Sequence, residues 1–209
     1  MKEIIFDFDG TIADTFDVVL SISNCLASEF GYPPVQPEEV KHLKNLTSRE
    51  ILKQSGVSLL KLPFLLRRLR VELNREICRL GPIAGIREVL QELKDGGNHL
   101  GIVTSNSREN VIAFLEAQQM ADLFDFVGSG LTLFGKGRII QQIIKQQKLD
   151  PAIVTYVGDE TRDIEAARKI GIRVIAVSWG FNSSQILAEH RPDFLIHRPA
   201  ELLEVLTKL

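Results

Sequence analysis

Cysteine is scarce in this sequence of 209 residues, which has only two, and no apolar run is long enough to cross a lipid bilayer. Cys25 and Cys78 lie far apart and lack the spacing of a metal or redox motif, so we expect two reduced structural thiols. The net charge of only −2 gives no reason to expect binding to nucleic acid or to a membrane surface. A strand-like segment follows the N-terminus directly, without a signal peptide, and this predicts a cytoplasmic protein.

The composition and the order of apolar segments predict an α/β protein. Hydrophobic residues make up 44% and charged residues 25%, as in ordinary soluble globular domains. Short apolar segments typical of buried strands alternate with segments of helical periodicity, which predicts a Rossmann-like parallel sheet with helices on both faces. The predicted strands are 4–6, 100–103, 124–127, 153–157, 174–177 and 194–196, and the predicted helices are 86–95, 108–119, 137–147, 161–170, 184–190 and 199–208.

Residues 16–81 interrupt this alternation with a block that has only helical patterns. We predict helices at 16–30, from 37, after a capping box at 47–50, and at 58–79 with a restart near Pro63. The block carries ten basic and seven acidic residues, so it is positive while the rest of the chain is negative. We therefore predict an inserted all-α cap domain at 16–81, joined to a core domain of residues 1–15 and 82–209. Such an insertion would lie over the carboxyl ends of the strands as a lid.

The most informative stretch is the end of the first predicted strand. Asp7 and Asp9 follow the apolar residues 4–6 and are two positions apart, so both side chains are expected on one side of the chain. Two carboxylates this close repel each other unless a cation or a shared proton offsets their charge. Gly10 supplies a turn that a side chain would obstruct. A carboxylate pair of this kind can provide a nucleophile and an acid/base, and it can also hold Mg²⁺.

Two later strand ends carry groups that could bind an anion. Thr104, Ser105 and Asn106 follow the second strand, where hydroxyl and backbone N–H groups at a helix start form an anion site or an ordinary N-cap. Lys136 lies between two glycines at the start of another helix. The stretch 130–137 has the spacing of a P-loop, but Gly137 stands where that motif needs Ser or Thr. We therefore reject a P-loop.

A third strand end is acidic. Asp159 and Asp163 are four positions apart at the start of the helix after strand 153–157, so they share one helix face. Acidic residues are favoured at a helix N-terminus, but the stretch 159–163 holds three of them, more than capping requires. Carboxylate oxygens are hard ligands that suit Mg²⁺.

In this order, the four stretches resemble the four motifs of the haloacid dehalogenase-like (HAD) superfamily, most of whose members are Mg²⁺-dependent phosphatases. The resemblance implies that Asp7 attacks phosphorus and that Asp9 serves as acid and base. It implies Mg²⁺ on Asp7, Asp159 and Asp9, the last through its backbone carbonyl, with Asp163 in support. It also implies phosphoryl contacts from Gly10, Thr104, Ser105, Asn106 and Lys136. Dehalogenases of this superfamily lack the second aspartate, so Asp9 favours phosphoryl chemistry.

The helical block and the chain's last strands resemble the phosphoglycolate phosphatase-like branch of the superfamily. This implies a small phosphorylated metabolite as substrate and a monomer or homodimer. Two alternative functions remain for a chain of this fold: a β-phosphoglucomutase-like phosphomutase and an inorganic pyrophosphatase. Ser48-Arg49-Glu50 is similar to a stretch in the cap of β-phosphoglucomutases, where the arginine holds the non-reacting phosphate, so Arg49 is a candidate substrate residue. A non-catalytic binding module is disfavoured because all the motif aspartates are present.

Overall fold

The computed structural model describes residues 2–130 and 135–209; the middle of the P-loop-like stretch, 131–134, lies outside the described residues. A six-stranded sheet has the order β3-β2-β1-β4-β5-β6, and every neighbouring pair is parallel. Because the chain runs from β1 to β2 on one side and returns to β4 on the other, a crevice opens at the carboxyl ends of β1 and β4. The strands are β1 (Glu3–Phe6), β2 (His99–Thr104), β3 (Phe126–Ser129), β4 (Val154–Gly158), β5 (Arg173–Val177) and β6 (Phe194–Ile196).

A helical region is inserted between β1 and β2, and we call residues 16–79 the helical insert. It comprises α1 (Phe16–Phe30), α2 (Val40–Leu43), α3 (Ser48–Ser55) and α4 (Leu62–Glu76), with 3-10 turns at Pro37–Glu39 and Ile77–Arg79. Its own apolar core consists of Leu26, Phe30, Val57 and Leu65. The insert therefore has its own packing as well as contacts with the sheet domain.

The remaining helices cover both faces of the sheet. They are α5 (Ile86–Asp95), α6 (Arg108–Ala117), α7 (Lys136–Gln146), α8 (Thr161–Ile170), α9 (Ser184–Glu189) and α10 (Glu201–Thr207). Helices α5, α6 and α10 pack on the face that includes Phe6 and Ile102. Helices α7, α8 and α9 pack on the opposite face, which includes Ile5 and Tyr156. Burial of both faces explains why the strands are continuous apolar runs.

The two chain segments that connect the insert to the sheet domain lie side by side. Asp14 N donates to Gly81 O at 3.1 Å, and Ile83 N donates to Ile12 O at 2.8 Å. The insert also touches the loop after β5, where Asn182 Nδ2 donates to the carbonyls of Lys44 and Leu46 at 3.2 and 3.0 Å. These contacts fix the insert over the carboxyl edge of the sheet.

The predicted fold class is confirmed, and the differences concern element ends. The third strand lies at Phe126–Ser129, two residues later than predicted, because the Asp125 carboxylate accepts from Leu100 N at 2.9 Å and the ladder begins after it. Helix α4 begins at Leu62, so Pro63 stands in the first turn, where its missing N–H costs no helical hydrogen bond. The capping box of Thr47 and Glu50 is present as predicted. No helix among the described residues has the length and apolarity to span a membrane.

Candidate active site at the carboxyl edge of the sheet

Asp7 leaves the centre of the sheet directly after β1. Its backbone N–H donates to Val157 O at 2.8 Å, so the residue continues the ladder with β4. The carboxylate is buried, and its Oδ1 accepts from Phe8 N at 2.8 Å. Its Oδ2 lies 2.5 Å from the Lys136 ammonium nitrogen. Strand pairing and an ion pair therefore hold this carboxylate at the switch point.

Asp159 follows β4 and is buried beside Asp7. Oδ1 accepts from the Thr11 hydroxyl at 2.7 Å, and Oδ2 accepts from Phe181 N at 2.7 Å. Each oxygen is thus positioned by a different loop. Burial, and next the negative charge of Asp7, raise the pKa of Asp159 well above its ordinary value.

Asp163 lies in the first turn of α8, also buried. Its Oδ2 accepts from Glu160 N at 3.1 Å, which closes a capping box at the start of the helix. Its Oδ1 lies 2.5 Å from the Lys136 ammonium nitrogen. Burial raises the pKa of Asp163 to about 6, although Lys136 acts in the opposite direction. Capping and the lysine contact therefore both orient this side chain.

Lys136 is the buried cation between these carboxylates. Burial disfavours its charge, but Asp163 and Asp7 together raise the pKa of Lys136 above its ordinary value, so the side chain stays protonated. Its ammonium group pairs with Asp7 and Asp163, and Asp159 has no ion pair within residues 2–130 and 135–209, so the lysine does not offset the charge of all three buried carboxylates. The site is therefore electronegative at its centre.

The three carboxylates form a candidate metal site. Asp7, Asp159 and Asp163 each offer an oxygen, and these oxygens all lie within 4.8 Å of one another. A set of hard oxygen donors with uncompensated buried charge fits a small divalent cation. The carboxylate of Asp9 is not part of this set, so a metal contact through its backbone carbonyl stays a prediction.

Asp9 lies on the insert side of the site and is partly buried. Its Oδ1 accepts from Asn106 Nδ2 at 3.1 Å. Asn106 is itself fixed, since its Oδ1 accepts from Ser107 N at 2.8 Å and from Asn110 Nδ2 at 2.9 Å. Burial, followed by the charge of Asp7, raises the pKa of Asp9 to about 7. A carboxyl group with such a pKa can donate and accept a proton near neutral pH.

The last residue of β2, Thr104, and the residues directly after it lie at the same edge of the sheet. Thr104 is fully buried, and its Oγ1 accepts from Asn106 N at 3.0 Å. Ser105 Oγ accepts from Arg162 Nη2 at 3.3 Å. The structure therefore brings the end of β2 next to the acidic start of α8.

Gly10 is required for two reasons. Its φ of +75° is in the left-handed region, and a Cβ there would collide with Asp159 Oδ2 and with the Phe181 ring. The same carboxylate fills the space beside Gly180, where a Cβ would also collide with it. Both glycines let the backbone close around Asp159.

A cavity of about 320 Å³ separates the helical insert from the sheet edge. Its floor includes Asp9, Ser105, Asn106, Glu160 and Arg162. Arg49 does not line this cavity: it is exposed and borders a neighbouring cleft of about 480 Å³ that reaches Lys136 from the other side. A role of Arg49 in substrate binding stays a prediction.

Sequence reasoning missed several residues that hold the site. Thr11 and the backbone of Phe181 position Asp159, and Arg162 pairs with Glu160 beside Ser105. Asn182 accepts from Thr161 N at 2.9 Å while it donates to the insert. Thr11 lies within the first motif and could have been proposed from it. The others act through contacts between distant loops, which no local pattern reveals.

Comparison with known proteins is consistent with this geometry. The family model described as haloacid dehalogenase-like hydrolase matches residues 4–177. A phosphoglycolate phosphatase of Synechococcus elongatus is 40% identical over 209 residues, which covers 100% of this chain and 99% of that protein. A protein of Clostridium perfringens named putative pyrophosphatase PpaX is 25% identical, covering 100% and 99%. The crystal structure of a predicted phosphatase from Clostridium acetobutylicum has a TM-score of 0.86 at 20% identity, covering 100% and 99%.

Proposed function

This chain belongs to the haloacid dehalogenase-like hydrolase family, and we propose that it is a phosphatase of a small phosphorylated metabolite of the phosphoglycolate class. The observation that carries the proposal is the pairing of Asp7 and Asp9 at the switch point. Lys136 and Asn106 hold these two carboxyl groups in different environments. Separate environments for two carboxyl groups are what a nucleophile and an acid/base require.

Asp7 is the nucleophile in this proposal. Its oxygen attacks phosphorus and forms an aspartyl-phosphate while the alcohol oxygen of the substrate departs. Lys136, which forms an ion pair with Asp7, would offset the negative charge of the nucleophile and of the phosphoryl oxygens. Thr104, Ser105 and backbone N–H groups near Gly10 complete the phosphoryl contacts.

Asp9 transfers the protons. Its protonated carboxyl group gives a proton to the departing oxygen in the first step, and the resulting carboxylate takes one from the water that hydrolyses the aspartyl-phosphate. Its raised pKa, caused by burial and then by Asp7, makes the protonated form available near neutral pH. The hydrogen bond from Asn106 keeps the group directed toward the reacting atoms.

Asp7, Asp159 and Asp163 would hold Mg²⁺, with Asp163 in support and the Asp9 carbonyl as a further ligand. When bound, Mg²⁺ supplies positive charge that offsets the carboxylates and the phosphoryl oxygens. The all-oxygen donor set and its excess negative charge support this choice of ion. The substrate is a phosphorylated small molecule, and we expect a monomer or homodimer.

The helical insert, together with residues 80–81, is the substrate-selecting cap in this proposal. Residues 16–81 form the cap domain, and residues 1–15 and 82–209 form the core domain. The two chain segments that join cap and core are hydrogen-bonded to each other, at Asp14–Gly81 and at Ile12–Ile83. This supports the domain boundary, because both segments could bend together at a single hinge. The cavity between cap and core supports a substrate enclosed from both sides.

The test is phosphate release with Mg²⁺ from a panel of 2-phosphoglycolate, pyrophosphate, β-glucose 1-phosphate and nucleotides. We expect one carboxylated phosphomonoester to exceed the others. Preference for pyrophosphate would identify a pyrophosphatase, and formation of an isomeric sugar phosphate without phosphate release would identify a phosphomutase.

The accompanying variant is Asp7→Asn, with Asp17→Asn, an exposed aspartate of α1, as the matched control. Asp7→Asn should lose all measurable turnover and retain its circular dichroism spectrum, and Asp17→Asn should match the wild type. Acid-quenched mass spectrometry of the wild type should find phosphate on the peptide that contains Asp7. Substantial turnover by a folded Asp7→Asn protein would exclude Asp7 as the nucleophile.

A further inference from the structure

Three arginines of α4 have different surroundings, although they are close in sequence. Arg67 is exposed. Arg68 forms ion pairs with Glu72 at 2.8 Å and Glu29 at 3.7 Å on the outer surface of the insert. Arg70 is half-buried and lines the cavity that also contains Asp9. The positive charge of the insert therefore reaches the candidate active site through Arg70.

The position of Arg70 is fixed by contacts with the sheet domain. Its Nη2 donates to Gly130 O at 3.3 Å, and its backbone carbonyl accepts from Asn110 Nδ2 at 3.1 Å. Asn110 also donates to Asn106, the residue that holds Asp9. A chain of hydrogen bonds thus links the arginine to the proposed acid/base. These bonds fix the backbone of Arg70, on the insert side of the cavity, relative to Asp9 on the sheet side.

Arg70 forms no ion pair with a carboxylate within residues 2–130 and 135–209. Burial lowers its pKa, with Asp9 and Glu109 acting in the opposite direction. The other guanidinium group that lines the cavity, Arg162, is already paired with Glu160. Arg70 is thus a partly desolvated cation whose remaining donors have no acidic partner in this part of the chain.

The wall around Arg70 is apolar. Leu66, Leu69 and Leu73 of the same helix line the cavity, and Ile51 faces it from α3. Apolar walls lower the local dielectric and strengthen the attraction between a guanidinium group and an anion. They also provide no competing acceptor. The insert side of the cavity is therefore suited to an anionic group attached to a compact carbon body.

We propose that Arg70 binds a carboxylate of the substrate at the end opposite the phosphoryl group, and so selects carboxylated phosphomonoesters. This inference rests on the proposed function, because Asp7 and Lys136 must take the phosphoryl end. A planar guanidinium group can bind a carboxylate through two parallel hydrogen bonds, which a lysine cannot reproduce. Arg70 is a substrate-binding residue in this proposal and takes no part in proton transfer.

The test measures binding, so that it does not depend on turnover. Isothermal titration with Mg²⁺ present compares 3-phosphonopropionate, a non-hydrolysable analogue with a carboxylate, with 3-phosphonopropionamide, which has the same shape without that charge. The wild type should bind the carboxylate roughly 10- to 100-fold more tightly, as expected for a charged hydrogen-bond pair. Arg70→Gln should lose most of this preference, and Arg70→Lys should recover only part of it. Arg67→Gln, the exposed control, should keep it.

Each outcome has a separate meaning. Equal binding of the two analogues by the wild type, or an unchanged preference in folded Arg70→Gln and Arg70→Lys proteins, would overturn the role of Arg70. A preference that depends on Arg70 in a protein that releases no phosphate from 2-phosphoglycolate would instead leave Arg70 as the anion-binding residue. In that case the proposed phosphatase activity fails, and the carboxylate site stands. Circular dichroism spectra of all variants show whether a loss reflects unfolding.

Discussion

The hydroxyl of Thr11 donates a 2.7 Å hydrogen bond to Oδ1 of Asp159, across 148 residues of sequence. Both residues are fully buried, and the bond joins the loop after β1 to the end of β4. It sets the orientation of one carboxylate of the candidate metal site. Outer contacts of this kind commonly decide the affinity of a metal site as much as the ligands do.

Thr11→Val should therefore weaken metal binding without unfolding the protein. Valine keeps the shape of threonine but leaves Asp159 Oδ1 without its donor, and we expect the Mg²⁺ concentration for half-maximal activity to rise roughly 10-fold. A Mg²⁺ titration of phosphate release, together with the shift in melting temperature that Mg²⁺ causes, measures this. Thr11→Ser retains the hydroxyl and should resemble the wild type. An unchanged titration in Thr11→Val would show that the bond is dispensable.

Gly10→Ala should abolish activity through crowding as well as backbone strain. Alanine at φ +75° costs about 1 kcal/mol, and its Cβ would push against Asp159 and Phe181. Gly56→Ala is the matched control, because Gly56 has φ +68° but no heavy atom within 4 Å of the added Cβ. Both variants should lose stability in urea denaturation, whereas only Gly10→Ala should lose turnover. Equal activity in the two would contradict the crowding argument.

Asn182→Ala should loosen the helical insert from the core. Its side-chain amide donates to Lys44 O and Leu46 O and accepts from Thr161 N, so the alanine variant leaves Leu46 O and Thr161 N without this partner, while Lys44 O still accepts from Ser183 N. We expect a loss of about 2 to 3 kcal/mol in unfolding free energy and a higher KM, because these bonds join the loop after β5 to the insert, whose helices α3 and α4 line the cavity. Hydrogen exchange should become faster in residues 44–48 than in β1. Ser184→Ala, an exposed position at the start of α9, serves as control. Uniform exchange across the chain would refute local loosening of the insert.

The ionised carboxylate of Asp125 should contribute to the free energy of unfolding at neutral pH, and this contribution should disappear in acid. Partial burial acts against its charge, but hydrogen bonds from Lys94 at 2.7 Å and Leu100 N at 2.9 Å lower the pKa of Asp125 below its ordinary value. A lowered folded pKa gives stability that is present above the unfolded pKa and is lost as the pH falls through the folded one.

Because the Asp125 side chain is 39% exposed and solvent screens its charge, Asp125→Asn should cost only about 0.5 kcal/mol at pH 7, and the difference from the wild type should shrink at pH values below about 4. Urea denaturation across this range measures both effects. Asp122→Asn, an exposed neighbour, should change neither. A difference that stays constant with pH would mean that the charge of Asp125 is not the cause.

Much of the fold could be predicted, because its signals are local. The apolar runs of β1, β4 and β5 and the helical spacing of α1 and α8 predict their elements within a residue at most ends. The short third strand could not be placed, since its ladder begins where Phe126 pairs with Gly101 of β2, directly after the contact of Asp125 with Leu100. The family resemblance rested on the four motif stretches and is confirmed by the family model and the full-length relative.

The sequence by itself determined which chemical groups stand at the strand ends, since Asp7, Thr104 and Asp159 lie at or directly after the last residues of apolar strand segments. Strand direction brings such ends to one edge of a parallel sheet, so their meeting needs no tertiary detail. Only the tertiary structure decided which of three similar arginines faces the cavity and which loops hold Asp159. Helical periodicity places Arg67 and Arg70, three positions apart, as neighbours on one side of the helix and turns Arg68 away from Arg67, but it does not specify what lies against each side chain. That depends on how the insert packs against the core, through contacts between residues far apart in the chain.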